Sequence, residues 1–282
     1  MKCFYHNDMD GKCAGAIVYL AKGHGDYYSI NYNQEFPFEI INFGEEVIIV
    51  DFSLQKDGDF QKLLSITKNV VWIDHHKTSI EKHKDLFVHG IRQEGIAGCV
   101  LTWKYYLDNF ALPKLVDMIG SYDVWDFSRF GDKLNVLQSG LRLYDTDPKN
   151  DNWRLWLFDS SGKNTEDYLD EILSGGEIAL KYRTNMWNSL CKSWAFFIEF
   201  EGYKTICCNA GSVSSQLFDN VEEDYDLMMS FVFDGKKWTV SIYTKKDIDC
   251  SEIAKKYGGG GHKQASGMQL SMDQFIKLFC II

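Results

Sequence analysis

The chain has 282 residues, 45% of them apolar and 25% charged, an ordinary globular composition with enough length for two cored domains. Forty acidic residues against thirty basic ones leave a net charge of −10, which argues against a general binder of long duplex nucleic acid, because such proteins neutralise many phosphates with Lys and Arg. The longest purely apolar runs are far short of the roughly 20 residues needed to span a membrane, and the N-terminus lacks the apolar stretch of a signal peptide. Eight scattered cysteines without a C-x-x-C read as reduced, mostly buried thiols of a cytoplasmic protein rather than as a zinc site.

Residues 1–6 predict a strand, 11–22 a helix rich in Ala, Ile, Val and Leu, and 26–32 (DYYSINY) a second strand. "EEVIIVDFS" (45–53) and "NVVWIDHH" (69–76) are continuous apolar runs. Such runs predict parallel strands buried on both faces. Helices fit about 57–67, 97–110, 112–121 and 132–143, so the first half alternates as an α/β domain does. Two aromatic segments, "WKYYLDNF" (103–110) and "NWRLWLF" (152–158), read as core and as packing against the following helix. That helix covers about 165–193; Gly175-Gly176 is expected to kink or break it, and it is the candidate connector.

After it the texture changes. A hairpin turning at Glu201-Gly202 and a stronger one at Asp234-Gly235 precede a helix, "CSEIAKKY", which meets "GGGGH". The expected organisation is a parallel-sheet α/β domain over 1–165, a helical linker over 166–193 and a smaller α+β domain over 194–282. The terminal "FIKLFCII" reads as docking on its own domain or, alternatively, facing a second copy in a homodimer.

Each acidic cluster follows a predicted strand. His6, Asp8 and Asp10 follow the first, Asp51 ends "VIIVD", and Asp74, His75 and His76 end "VVWIDHH". Ligands of open parallel sheets bind beyond the carboxyl ends of the strands, so these residues converge on one rim, with Asp123 of "GSYDVWDF" able to join them. Asp8, Asp10, Asp51 and Asp123 bring about four negative charges, which repel unless protonated or neutralised. Two divalent cations balance them, and His6 and His75 add neutral nitrogen ligands. Mixed oxygen and imidazole donors suit Mn²⁺ best, with Mg²⁺, Fe²⁺ or Co²⁺ as alternatives. A shared carboxylate between two metals is an arrangement for phosphoryl chemistry. Single features have plainer readings. Asp10 is placed to cap the helix beginning at 11. "DMDG" is half of a calcium loop, without the Glu such a loop needs at its twelfth position.

Taken in order, these motifs resemble the DHH phosphoesterase family, named for the motif that stands here as Asp74-His75-His76. "HNDMDG" (6–11) is similar to the family's first motif in a short form, "VDFS" (50–53) to the second and "YDVW" (122–125) to the fourth. "GGGGHKQASG" (258–267) is similar to the end of the DHHA1 substrate domain. The resemblance implies that His6 and Asp8 hold one metal, that Asp10, His75 and Asp123 hold the other, and that Asp51 bridges them. It gives catalytic roles to Asp74, which orients an imidazole, and to His76, which touches phosphate or the attacking water. Asp126 reads as structural. In the DHHA1-like domain, Gly259, Gly260, Gly261 and His262 are the implied grip on the nucleotide. Tyr243 of "VSIYT" stands where many members have an Arg. That substitution removes a bidentate phosphate clamp and leaves stacking or a hydroxyl donor, with Lys245 or Lys246 to restore charge.

The implied function is a Mn²⁺-dependent phosphodiesterase, with Mg²⁺ or Co²⁺ as alternatives. Its substrates would be dinucleotides or short single-stranded RNA or DNA oligonucleotides, hydrolysed to 5′-mononucleotides by a metal-activated hydroxide. Two alternatives keep the chemistry: a phosphatase for 3′-phosphoadenosine 5′-phosphate (pAp), and a phosphodiesterase for cyclic or linear signalling dinucleotides. A pyrophosphatase is disfavoured by the "GGGGH" segment. A further alternative is a non-catalytic nucleotide-binding regulator.

Overall fold

The computed structural model describes residues 1–32, 34–158 and 164–279. Its first half runs β1 (Lys2–His6), α1 (Met9–Lys22), β2 (Asp26–Ile30), β3 (Val47–Val50), α2 (Asp59–Ile66), β4 (Val70–Ile73), α3 (Lys77–Lys82), α4 (Gly98–Tyr106), α5 (Lys114–Asp123), α6 (Lys133–Leu141) and α7 (Asn152–Leu157). The strands form a parallel sheet in the order β2-β1-β3-β4. Successive residues alternate between two cores. Cys3, Tyr5, Ile48, Val50, Val71 and Ile73 face one, and Phe4, Val47, Ile49, Val70 and Trp72 face the other. Burial on both faces is why these strands read as unbroken apolar runs. The chain leaves β1 toward β2 on one side of the sheet, while β3 lies on its other side. The resulting switch point lies between β1 and β3, where open α/β sheets place their ligands.

α8 (Thr165–Trp194) is one continuous helix, so Gly175-Gly176 does not break it. The pair has another purpose. A Cβ on Gly176 would lie 2.1 Å from the Val136 carbonyl oxygen, and one on Gly140 would lie 2.1 Å from that of Ile172. Glycines on both helices thus let the α6 and α8 backbones approach closely. Trp153, Trp156 and Leu157 of α7 share a core with Leu169 and Ile172 of α8. Trp103 of α4 lies in the same core.

The chain divides into two compact units, Met1–Leu180 and Lys181–Ile282, with the division inside α8. The second unit contains β5 (Phe196–Phe200), β6 (Tyr203–Asn209), β7 (Leu227–Phe233), β8 (Trp238–Tyr243), α9 (Cys250–Lys256), β9 (Gly260–His262), β10 (Ala265–Leu270) and α10 (Met272–Phe279). Its sheet runs β5-β6-β7-β8-β10-β9, antiparallel except for the β6–β7 pair. Glu201 and Gly202 turn the first hairpin with φ of 53° and 80°, while Asp234 accepts from the Lys236 and Lys237 amides at the second. Cys207 and Cys208 fall on opposite faces of β6, in separate cores. Phe275 and Leu278 of α10 pack in the core that holds Cys207. The last three residues of the apolar tail lie outside the described residues.

The glycine run is ordered by two devices. Gly258 is left-handed (φ 77°) and donates to the Lys255 carbonyl, while Gly259 donates to the Ala254 carbonyl at 2.9 Å, which is a Schellman close of α9. Gly260 to His262 then form the edge strand β9 beside β10. Among the described residues, no helix is long and apolar enough to cross a membrane.

Candidate metal centre

The carboxyl ends of β1, β3 and β4 deliver His6, Asp51 and Asp74 to one rim. Asp51 follows Val50 in the left-handed region (φ 53°), a conformation that Asp and Asn tolerate better than most residues. The turn points a carboxylate that is only 1% exposed at its neighbours on both sides. Asp51 Oδ2 lies 3.7 Å from His6 Nδ1, and Asp51 Oδ1 lies 3.2 Å from His75 Nε2. Asp8 Oδ2 lies 2.7 Å from His6 Nδ1, and Asp123 Oδ2 lies 3.3 Å from His75 Nε2. Asp10 Oδ2 completes the second group, 3.8 Å from the same nitrogen.

Ligand atoms therefore gather in sets small enough for single cations: His6, Asp8 and Asp51; Asp10, His75 and Asp123; and Asp51, His75 and His76. Asp51 belongs to a set on each side. Neither of its oxygens makes a well-formed hydrogen bond among the described residues, although both are buried. A buried carboxylate with two bare oxygens is costly unless a cation meets it. The donor set thus fits divalent metal ions.

Two acids also serve the scaffold. Asp8 caps α1 by accepting from the Gly11 amide at 2.9 Å. The sequence had pointed to Asp10 for that role, but Asp10 caps a different helix. Its oxygens accept from the Gly98 and Cys99 amides of α4 at 2.7 and 2.8 Å. Eighty-eight residues separate Asp10 from Gly98, which is why no local pattern disclosed the contact. Gly98 is required there, because a Cβ would come within 2.7 Å of the Asp51 Cβ.

Burial and mutual repulsion set the protonation of the cluster. Burial pushes Asp51 up to about 7, with Asp8 and Asp123 adding to the rise against the pull of His6 and His76. Burial also raises Asp10, assisted by Asp51 and Asp123, and raises Asp123 against the attraction of His75. His6 moves the other way: burial opposes its charge, but Asp51 and Asp8 prevail and push it up to about 10. Asp8 is held low because His6 overcomes its burial. Protons stand in for cations throughout this pattern.

Asp74 is fully buried behind the rim. Its Oδ1 accepts from the His75 and His76 amides (2.8 and 3.2 Å) and from His76 Nδ1 at 2.7 Å. This anchors the His76 ring at Nδ1 and raises its pKa, against the effect of burial. Asp126 stays outside the cluster, exposed and turned onto Ser128. One neighbour escaped the sequence reading. Tyr32 stacks on Phe52 and meets His6 and His76 with ring centroids 5.1 and 5.5 Å away. The available signal was an aromatic residue two places beyond a strand that ends on the same rim.

In the second unit, Tyr243, Ala265 and His262 stand side by side across β8, β10 and β9, and Gly261 and Gly260 follow along the edge strand. Lys245 and Lys246 are engaged by Asp219 and by Asp224 and Asp226.

The fold is that of a DHH-type α/β protein that carries a second, mixed-sheet domain. The DHHA1 domain family matches residues 209–280. Oligoribonuclease NrnB of Bacillus subtilis (strain 168) is 27% identical over 307 residues, covering 98% of this chain and 74% of its own length. An uncharacterized protein, R106, of Acanthamoeba polyphaga mimivirus is 26% identical over 263 residues, covering 86% of this chain; the chain spans only 56% of that relative's length. Among solved structures, the pGpG-specific phosphodiesterase PggH of Vibrio cholerae superposes with a TM-score of 0.57 at 12% identity, over 98% of this chain and 95% of that one. RecJ of Thermus thermophilus in complex with Mn²⁺ superposes with a TM-score of 0.50 at 16% identity, over 98% of this chain and 50% of that one. Residues 209–280 thus match a DHHA1 domain, and the chain as a whole is similar to DHH/DHHA1 proteins.

Proposed function

We propose that the chain is a divalent-metal-dependent phosphodiesterase that cleaves dinucleotides and short single-stranded oligonucleotides to 5′-mononucleotides. The observation that carries this reading is Asp51: a buried carboxylate with two unpartnered oxygens, each directed at a different histidine-containing set. The names of two similar proteins, an oligoribonuclease and a pGpG-specific phosphodiesterase, support the substrate class. Mn²⁺ is the favoured ion, supported by the mixed carboxylate and imidazole donors and by the RecJ neighbour.

On this reading His6 and Asp8 hold one ion, Asp10, His75 and Asp123 hold the other, and Asp51 is shared. When bound, such a pair neutralises charge on phosphate oxygens and makes hydroxide available near neutral pH. Asp74 fixes the His76 ring through Nδ1, which leaves Nε2 to carry a proton toward a phosphate oxygen. Tyr32 packs its ring against the His6 and His76 imidazoles. Tyr243, His262 and the β9 glycines are the second unit's candidate contacts to a nucleotide. The net charge of −10 weakens binding of long polyanions outside such sites.

The test is a panel of pApA, longer oligoribonucleotides, cyclic di-AMP and pAp, run on chelator-stripped protein reloaded with Mn²⁺, Mg²⁺ or Co²⁺. The expected result is metal-dependent release of AMP, fastest from pApA. A dominant rate on pAp overturns the oligonucleotide preference. Nucleotide binding without turnover of any substrate makes the chain a regulator.

A further inference from the structure

A cavity of about 540 Å³ opens directly beside the acid cluster and shares Asp8, Asp10 and Asp123 with it. Its volume is within the roughly 300–1,000 Å³ usual for small-ligand sites. Three helices build it at helical spacing. Asp8 and Lys12 stand four residues apart at the start of α1, Tyr122 and Asp123 come from the last turn of α5, and Gln138 and Arg142 stand four apart along α6 and its end. The lining therefore mixes the carboxylates of Asp8, Asp10 and Asp123 with two cations, Lys12 one turn along α1 from Asp8 and Arg142 at the end of α6, and Tyr122 and Tyr144 supply aromatic surface.

The cations are uncommitted. Among the described residues, neither Lys12 nor Arg142 has a side-chain hydrogen bond or ion pair. Asp145, held low first by the Asp147 amide and Asn150 and only in smaller part by the Lys12 charge, makes its hydrogen bonds to those two groups and not to Lys12. Arg129 of the same unit is, by contrast, held through both amino nitrogens by Asp117. Arg142 also follows α6, where a cation suits the helix's carboxyl end, but that role does not require a cavity.

A ligand for this space must be anionic at two separated points, with a planar, hydrogen-bonding body between or beside them. One phosphate belongs at the metal wall and a second anion at Arg142 and Lys12. We propose that the cavity is the subsite for a 5′-phosphorylated nucleotide adjoining the scissile phosphate, with Arg142 and Lys12 binding the terminal 5′-phosphate. The inference rests on the phosphodiesterase reading above and narrows it: the substrate is a 5′-phosphorylated dinucleotide, distinguished from its unphosphorylated counterpart.

The experiment compares pApA with ApA in Mn²⁺ in two arms. Hydrolysis is measured in the wild type and Arg142→Ala; equilibrium binding is measured in the Asp51→Asn background with and without Arg142→Ala. The expected preference for pApA is about 10- to 100-fold, the value of a charge-assisted contact, and it falls to within about twofold when Arg142 is lost. Arg142→Lys retains part of it. Should Arg142→Ala not fold, Lys12→Ala carries the same expectation from another helix. An unchanged pApA-to-ApA ratio in the binding arm overturns the subsite. An Arg142-dependent binding preference in a protein that hydrolyses neither compound overturns the phosphodiesterase reading and supports the subsite.

Discussion

Asp51→Asn should make the metal-free protein more stable and the metal-loaded protein less so. In the absence of metal, the rise of Asp51 from 3.8 to about 7 means that its ionised form costs the fold about 4 kcal/mol by about pH 8. Asn removes that charge, keeps the side chain's shape and tolerates the left-handed backbone at this position. It leaves a buried amide without partners, which costs about 1–3 kcal/mol. The net gain is roughly 1–3 kcal/mol, or about 3–10 °C in the melting temperature of a unit of this size. With metal near a thousand times its Kd, the wild type gains about 4 kcal/mol, most of which the variant forgoes. Scanning calorimetry in chelator and in millimolar Mn²⁺ should therefore show the two proteins exchanging order. A variant that melts below the wild type in both conditions refutes the reasoning and makes Asp51 an ordinary structural residue.

Other expectations follow from the same geometry. Asp51 and His6 both bind protons more tightly in the fold than in the open chain. Stability without metal should therefore fall as pH rises through about 4 to 7 for Asp51 and on toward 10 for His6, with the fall relieved by Mn²⁺; a flat profile in chelator contradicts this. Asp74→Asn should retain bound metal by elemental analysis yet lower kcat about 10- to 100-fold, because the His76 ring loses its anchor; unchanged kcat removes that role. Gly176→Ala favours an isolated helix by about 1 kcal/mol but drives a methyl into the Val136 carbonyl. A net loss of roughly 2 kcal/mol or more in denaturant titration is expected, and a gain would mean the helices part without cost.

Much of this was legible in the chain. The runs around Val47–Val50 and Val70–Ile73 announced doubly buried strands because both sheet faces carry cores. The acids after them announced a rim because strand ends are where a parallel sheet exposes its crevice. What stayed hidden was non-local. The contact of Asp10 with the α4 amides depends on a helix that begins far along the chain, and Gly175-Gly176 resembles a helix breaker until α6 lies against it. The glycine run divided into a helix close and an edge strand because β10 was there to pair with it, which composition cannot express.

Asp10 is at once an acid of the cluster and the fastening of α4, whereas Asp123 makes no comparable structural hydrogen bond among the described residues. On the phosphodiesterase reading, a descendant that abandoned catalysis should therefore shed Asp123 long before Asp10. In such a lineage a surviving aspartate at that position would be a relic of architecture, not a sign of retained chemistry.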